Sequence, residues 1–255
     1  YLRRIGLIVK DQNKQDKPLV PISGGLAVLF GVMAGLLVFI FYRIFFPGEN
    51  LGLVLNERNL MLIFASIITL LIITLVGFLD DLVIDKSKDS SAGLRQWQKP
   101  ILTLTAAVPL MAINAGTGKV ALPFFGVVDL GIIYPLILIP IGVVGASNMV
   151  NLLAGFNGLE AGMGIIYTGM LGLYAYANDR YVAALVALVV FSALIAFYFY
   201  NKHPAKILAG DSLTYLLGGV IAVIAIIGNI ERAAIVASIP FFIEFVLKAR
   251  SRFKA

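Results

Sequence analysis

Four short stretches hold nearly every side chain able to do chemistry in an otherwise apolar chain. The first is GFLDD, residues 77–81. Asp80 and Asp81 close an apolar run, and an ionisable residue at a membrane boundary is costly unless it is used. Adjacent carboxylates can bind a divalent cation, or one can act as a base while the other orients it. The competing reading is a solvated helix end, but carboxylates are unfavourable against the negative end of a helix dipole. The second stretch is RQWQK, residues 95–99. Lys99 precedes Pro100 and the next apolar run, where an ammonium can meet a phosphate at the membrane surface; Arg95 is a weaker candidate and Trp97 an interfacial anchor. The third runs N148-M-V-N151-L-L-A-G-F-N157-G-L-E160-A-G. Asn148 and Asn151 lie three apart, on one face of a helix end, where amide oxygens can ligate a hard cation or hold a sugar phosphate. Gly155 and Gly158 bracket Asn157, a turn chemistry that leaves an amide free to read a ligand. Glu160 opens the next helix, where the dipole suits a carboxylate; capping accounts for Glu160 alone, but not for three asparagines among so many glycines. The fourth is HPAKILAGDSL, residues 203–213, with Asp211 at a helix start. N-capping competes for that single residue, while Gly210 and Lys206 beside it favour a phosphate or metal site.

Three further features are weaker. DKPLVPISGG, residues 16–25, offers paired glycines before a helix. Free N–H groups there suit a phosphate, and a plain connecting loop is the equal alternative. Asp85 and Asp89, interleaved with Lys86 and Lys88, read as solvated charges. His203 is the single histidine, more often a bystander than a catalyst.

The elements that must position these residues are membrane helices. Of 255 residues 60% are hydrophobic and 13% charged, and the mean hydropathy is +0.96. A soluble domain of this size carries about 25% charge, so lipid is the expected solvent. With no cysteine, disulfides, thiol catalysis and Cys-zinc sites are excluded, and one histidine excludes a His-rich metal site. The net charge of +6 reads as a topology signal and as phosphate contacts, with no nucleic acid partner. A span needs about 20 apolar residues. Eight candidates stand at roughly 22–42, 60–79, 101–115, 130–148, 159–177, 181–200, 213–229 and 233–248, the third and last being short. Residues 116–129 alternate as a small hairpin would. Eight spans place fifteen of the twenty Lys and Arg on the face that carries all four motifs. Positive residues gather on the cytoplasmic side, so that face and both chain ends are expected there. Residues 1–255 read as one integral membrane domain, and the opening at Tyr1 and the ending at Ala255 read as those of a fragment.

GFLDD, NMVNLLAGFNGLEAG and HPAKILAGDS, in this order and on one face, resemble the polyprenyl-phosphate N-acetylhexosamine-1-phosphate transferases over about residues 16–250. The form AGFNGLEAG is similar to the eukaryotic and archaeal branch, which makes dolichyl-diphosphate-GlcNAc; the bacterial branch, including the phospho-MurNAc-pentapeptide transferases, usually has DGxDGLA there. The resemblance implies an all-α polytopic fold of ten spans, of which this chain would lack the first and last. It implies Asp80 and Asp81 as the catalytic acidic pair, the second a proposed base. It further implies Lys99 at the diphosphate, Asn151 and Asp211 as ligands of Mg²⁺ (Mn²⁺ being the substitute), and Asn157 at uracil, with Asn148 and Glu160 completing the substrate site. Three departures stand against it. Ile84 replaces an expected polar residue, Leu208 an expected aromatic one, and no His or Arg cluster follows KARSRFKA.

The reaction so implied is Mg²⁺-dependent transfer of GlcNAc-1-phosphate from UDP-GlcNAc to a dolichyl-type phosphate with release of UMP, the first step of lipid-linked oligosaccharide assembly. The partners are a UDP-sugar, a polyprenyl phosphate and the membrane itself. A homodimer is the assembly common in that family. The expected location is the cell membrane of a prokaryote, archaeal by the motif form, or the endoplasmic reticulum in a eukaryote. Transfer of another UDP-N-acetylhexosamine phosphate to undecaprenyl phosphate, for cell-wall or surface polysaccharide, is the alternative, as is a two-step route through an aspartyl nucleophile. An intramembrane prenyltransferase would need two Asp-rich motifs, and only residues 80–89 qualify. A secondary transporter would place polar residues near the bilayer midplane.

Overall fold

The computed structural model describes residues 2–46, 53–83, 93–122 and 126–250. The described residues are mostly helical. Strands β1 (Ile8–Lys10) and β2 (Leu19–Pro21) form an antiparallel hairpin that leads into helix α1, Gly25–Phe45. Helix α2 runs Glu57–Val83. The next apolar stretch is not one helix: α3 (Gln98–Leu104) passes through a tighter turn, Thr105–Ala107, into α4, Val108–Ala112. Pro109 explains the break, because its ring removes an N–H and crowds the carbonyl four residues earlier. The expected hairpin is present as β3 (Lys119–Leu122) and β4 (Gly126–Asp129), with Lys119 opposite Asp129. A π-helical turn, Tyr134–Leu138, continues as α5, Ile139–Leu152. Then follow α6 (Leu159–Ala177), α7 (Tyr181–Asn201), α8 (Gly210–Gly228), α9 (Glu231–Ala237) and α10 (Ile239–Arg250). Pro240 sits in the first turn of α10, where a missing N–H is harmless, so the expected last span is two helices.

Among the described residues, five helices are long and apolar enough to cross a membrane: α1, α2, the continuous Tyr134–Leu152, α7 and α8. The expectation of eight spans therefore stands at five on length and composition. Residues of α3–α4 and α9–α10 are broken into shorter pieces, and α6 is helical over 19 residues but falls outside that set. Helix starts and ends lie within about four residues of the expected ones.

Helix α8 is the hub. Every residue from Ser212 to Gly228 is buried, as suits a helix apolar on all sides. Helices α2 and α5 pack along it, with α7, α1 and α6 completing its cover. Apolar side chains exposed on the outer helices, such as Phe30, Phe41, Ile166, Met170 and Leu173, face where lipid would lie. Packing against α8 is close enough to require glycine. A Cβ at Gly218 would fall within 2.7 Å of the Ala146 carbonyl carbon, and backbone cannot yield as a flexible side chain can.

Gly218→Ala is therefore expected to destabilise the bundle by about 1–3 kcal/mol, the usual cost of overpacking a tight core. It should appear as a lower thermal midpoint of the purified protein in detergent. An unchanged midpoint would mean that α5 and α8 separate without cost.

Candidate active site

Four helix ends converge to form the site: the last turns of α2 and α5 and the first turns of α3 and α8. Asp80 and Asp81 lie in the last turn of α2, both buried. Lys99 is in the first turn of α3. Asn151 is in the last turn of α5, and Asp211 in the first turn of α8.

Lys99 Nζ joins two carboxylates. It forms an ion pair with Asp80 Oδ2 and lies 3.2 Å from Asp211 Oδ2. That oxygen of Asp80 is buried against the ammonium. The other oxygen of Asp80 accepts the Leu94 N–H from the segment that leads into α3. Asn151 Nδ2 donates to Asp211 Oδ2 at 3.3 Å, and Asn151 Oδ1 accepts from the Thr214 hydroxyl at 3.0 Å. Asp81 is turned another way. Its Oδ1 accepts the Asp211 backbone N–H at 2.7 Å and its Oδ2 the Ser212 N–H at 3.2 Å.

Asn148 sits a turn before Asn151. It donates to Val144 O at 2.8 Å and to Thr103 Oγ1 at 3.3 Å, which joins α5 to α3. Arg95 is exposed, its backbone N–H held by Gln98 Oε1. Trp97 is 61% exposed, as an interfacial anchor should be. His203 is exposed in the loop between α7 and α8. Asp85, Lys86, Lys88 and Asp89 lie outside the described residues.

A second polar cluster holds Asn157 and Glu160. Asn157 Nδ2 donates to Asp11 Oδ2 at 2.9 Å, and Asn13 Nδ2 donates to Gly155 O at 2.9 Å and to Asn157 Oδ1 at 3.3 Å. Glu160 Oε1 accepts the Gly155 N–H at 2.8 Å, which closes the turn before α6. Lys14 Nζ reaches Asp11 at 2.9 Å and the Ala205 carbonyl at 2.7 Å, so the leading hairpin clamps both the 153–158 loop and the 202–209 loop. Asp11, Asn13 and Lys14 are absent from the sequence reading. The signal for them was slight: an Asp two residues before an Asn is the pattern of an Asx-turn, which forms here with Asn13 N–H on Asp11 Oδ1 at 3.0 Å.

The paired glycines of 16–25 are not a phosphate cradle. Gly24 N–H donates to Leu208 O at 3.1 Å and Gly25 N–H to Ala209 O at 3.3 Å. A Cβ on Gly25 would strike the Ser212 and Leu213 backbone. These glycines let α1 approach the start of α8, and their donors are spent on that contact.

Among the described residues, no group of three or more His, Cys, Asp or Glu side chains is gathered as a metal centre. The donors present are oxygens of Asp80, Asp211 and Asn151. That set suits Mg²⁺, which takes one or two carboxylates and completes its shell with waters and substrate phosphates.

A bundle of apolar helices with acidic, amide and lysine side chains drawn together at the ends of its spans defines an integral membrane protein. The chain belongs to glycosyl transferase family 4, whose family model matches residues 62–229. It is 36% identical over 251 residues to a protein of Saccharolobus solfataricus, covering 96% of this chain and 70% of that one. It is 32% identical over 255 residues to one of Sulfolobus acidocaldarius, covering 99% and 72%. Both carry the provisional name UDP-N-acetylglucosamine–dolichyl-phosphate N-acetylglucosaminephosphotransferase. A phospho-N-acetylmuramoyl-pentapeptide-transferase of Halalkalibacterium halodurans is 32% identical over 258 residues, covering 96% of this chain and 73% of the relative.

The clamp at Asp11 makes a prediction about pH. Burial opposes its charge, but the cover is a thin layer of surface loops, and hydrogen bonds from Asn157, Lys14 and Asn13 outweigh it and hold the carboxyl below its usual value. A depressed folded-state value adds stability above the unfolded carboxylate value of about 3.9 and loses it as pH falls through the folded value. Asp11→Asn should therefore lower the thermal midpoint at neutral pH, and its difference from wild type should shrink below about pH 4. A pH-independent difference would remove the charge from this account.

Proposed function

We propose that this chain transfers N-acetylglucosamine-1-phosphate from UDP-GlcNAc to a dolichyl-type polyprenyl phosphate, releasing UMP, at the cytoplasmic face of the membrane. The observation that carries the reading is Lys99 held between Asp80 and Asp211 with Asn151 at the same carboxylate. The archaeal relatives of that name and the distribution of Lys and Arg support the donor, the acceptor and the side.

The chemistry is displacement at phosphorus. An oxygen of the lipid phosphate bonds to the β-phosphorus of the donor, the bond from that phosphorus to the bridging oxygen breaks, and UMP leaves with the electron pair. Most of the work in such a step is positioning and charge stabilisation. Lys99 supplies a fixed positive charge for the diphosphate. Asp80 faces the same point and would take a proton from the lipid phosphate. Asp211 and Asn151 would hold Mg²⁺, which would offset the charge of the donor diphosphate; Mn²⁺ fits the same oxygen donors. Asn157 belongs to the loop that would receive the uridine, Glu160 in the first turn of α6 holds that loop, and Asn148 fixes α5 against α3 so that Asn151 is aimed inward. Asp81 supports the start of α8.

Asp211→Asn and Lys99→Ala should each lower kcat for UMP release by about 10²–10³-fold, the effect of losing one preorganised charge at a developing anion. The assay takes radiolabelled UDP-GlcNAc with dolichyl or undecaprenyl phosphate, with and without Mg²⁺. Chelation with EDTA should abolish turnover and added Mg²⁺ restore it. Near-normal turnover by Asp211→Asn would sink the assignment, and preference for undecaprenyl phosphate with another UDP-N-acetylhexosamine would move the acceptor and sugar.

A further inference from the structure

We infer that the two adjacent aspartates have separate tasks: Asp80 faces the reacting groups, and Asp81 is a positioning residue that anchors the first turn of α8 and so aims Asp211. The inference rests on the phosphotransfer reading for its kinetic consequences, but its structural basis is independent of it.

The first backbone N–H groups of a helix have no partner inside the helix. Usually a side chain just before the helix satisfies them. Here the preceding residue is Ala209, which has no polar group, and no side-chain cap is made. The cap comes from another helix instead. Both oxygens of Asp81 accept first-turn donors of α8, from Asp211 and Ser212. A carboxylate is the favoured group there, because it meets the positive end of the helix dipole. Asp81 is only 3% exposed, so the contact is shielded from water.

Two glycines let the anchor form. Gly77 lies one turn before Asp81 on α2, and a Cβ on it would run into the Asp211 carbonyl. Gly210 has φ +71°, and a Cβ there would fall 2.5–2.9 Å from the Asp81 carboxyl atoms. The ends of α2 and α8 are therefore in backbone contact, and Asp81 occupies the space at their junction. Asp80, the next residue round the helix, points to Lys99 instead. Both oxygens of Asp81 are thus taken up by the N–H groups that fix Asp211, whereas Asp80 meets the ammonium of the site.

Two variants break the anchor differently. Asp81→Asn leaves one acceptor oxygen and sets an amide N–H₂ against a backbone donor. Gly210→Ala pushes a methyl group into the Asp81 carboxylate and removes no ionisable group. The whole protein in lipid nanodiscs is compared with both, and with Asp80→Asn. Hydrogen exchange at the Asp211 and Ser212 amides, without substrate, should quicken in both anchor variants by about five- to tenfold, the equivalent of one lost cap. UMP release should need several-fold more Mg²⁺ for half-saturation in both anchor variants. Asp80→Asn should keep wild-type exchange at these amides. Wild-type exchange at these amides in Asp81→Asn would overturn the inference. So would quickened exchange there in Asp80→Asn, or wild-type Mg²⁺ dependence in both anchor variants. If wild type releases no UMP, the phosphotransfer reading falls, and the exchange measurement alone decides the anchor.

Discussion

Two carboxylates meet one ammonium at the end of an apolar bundle, a third lies against a helix start beside them, and the rest of the structure answers that charge. Buried carboxylates are tolerable only when paired and hydrogen-bonded. Asp81 is met by the N-terminus of α8, with two backbone donors and the dipole behind them. Asp80 and Asp211 share Lys99. Two carboxylates on one ammonium are not neutral: they call for a shared proton or a further cation. The amide of Asn151 adds a donor to Asp211 but no charge. This imbalance, more than any single motif, is what would suit the cluster to a divalent cation.

Such a cluster forms only if helix ends come within hydrogen-bonding reach, which explains why the fold is built round α8. An apolar helix buried along nearly its whole length gains little from specific pairing in lipid, so packing must hold it. Small residues supply that packing. Gly25 on α1, Gly77 on α2 and Gly218 on α8 each sit against the backbone of a neighbouring helix. The first two contacts fall on Asp211, Ser212 and Leu213, at the turn that carries the site. Close packing and the site are one arrangement: the glycines that permit the bundle also set where Asp211 stands.

Much of this was legible in the sequence, for physical reasons that can be named. Apolar runs of span length between polar loops fixed the helices, and ionisable residues at their ends marked Asp80, Asp81, Lys99 and Asp211. The hairpin at 116–129 was readable from alternation. What was not legible depends on partners distant in the chain. Asp11 and Asn13 look like any polar turn until the 153–158 loop is laid against them. Gly24 and Gly25 look like a phosphate loop until the 202–209 loop takes their donors. The breaks at Pro109 and Ser238 were written in local sequence, yet a hydropathy count passes over them because the residues on each side remain apolar. The division between Asp80 and Asp81 is invisible at sequence level, since adjacent residues differ only in the direction a helix gives them.

The same contacts bear on whether the bundle could carry a solute across the bilayer. A transport path needs polar or ionisable groups near the midplane, usually where helices are broken. In the five long spans, Asp, Glu, Lys and Arg occur only within the terminal turns. Several buried hydroxyls deeper in the helices are turned back on their own backbone: Ser66 donates to Leu62 O, Thr74 to Leu70 O and Ser147 to Val143 O, each at 2.7 Å, and Thr168 to Gly164 O at 2.6 Å, while Tyr167 donates across to Leu217 O of α8 at 3.1 Å. Hydroxyls so engaged offer little to a passing solute, and the residues around them are apolar and closely packed. Tyr134 and Glu231 pair 2.7 Å apart at the far end of the Tyr134–Leu152 span, and the carboxylates, lysine and amide of the candidate site lie together at the other. A site of that kind acts on a ligand presented at the membrane surface, which is where the phosphate of a long-chain polyprenyl lipid and a water-soluble nucleotide sugar can meet.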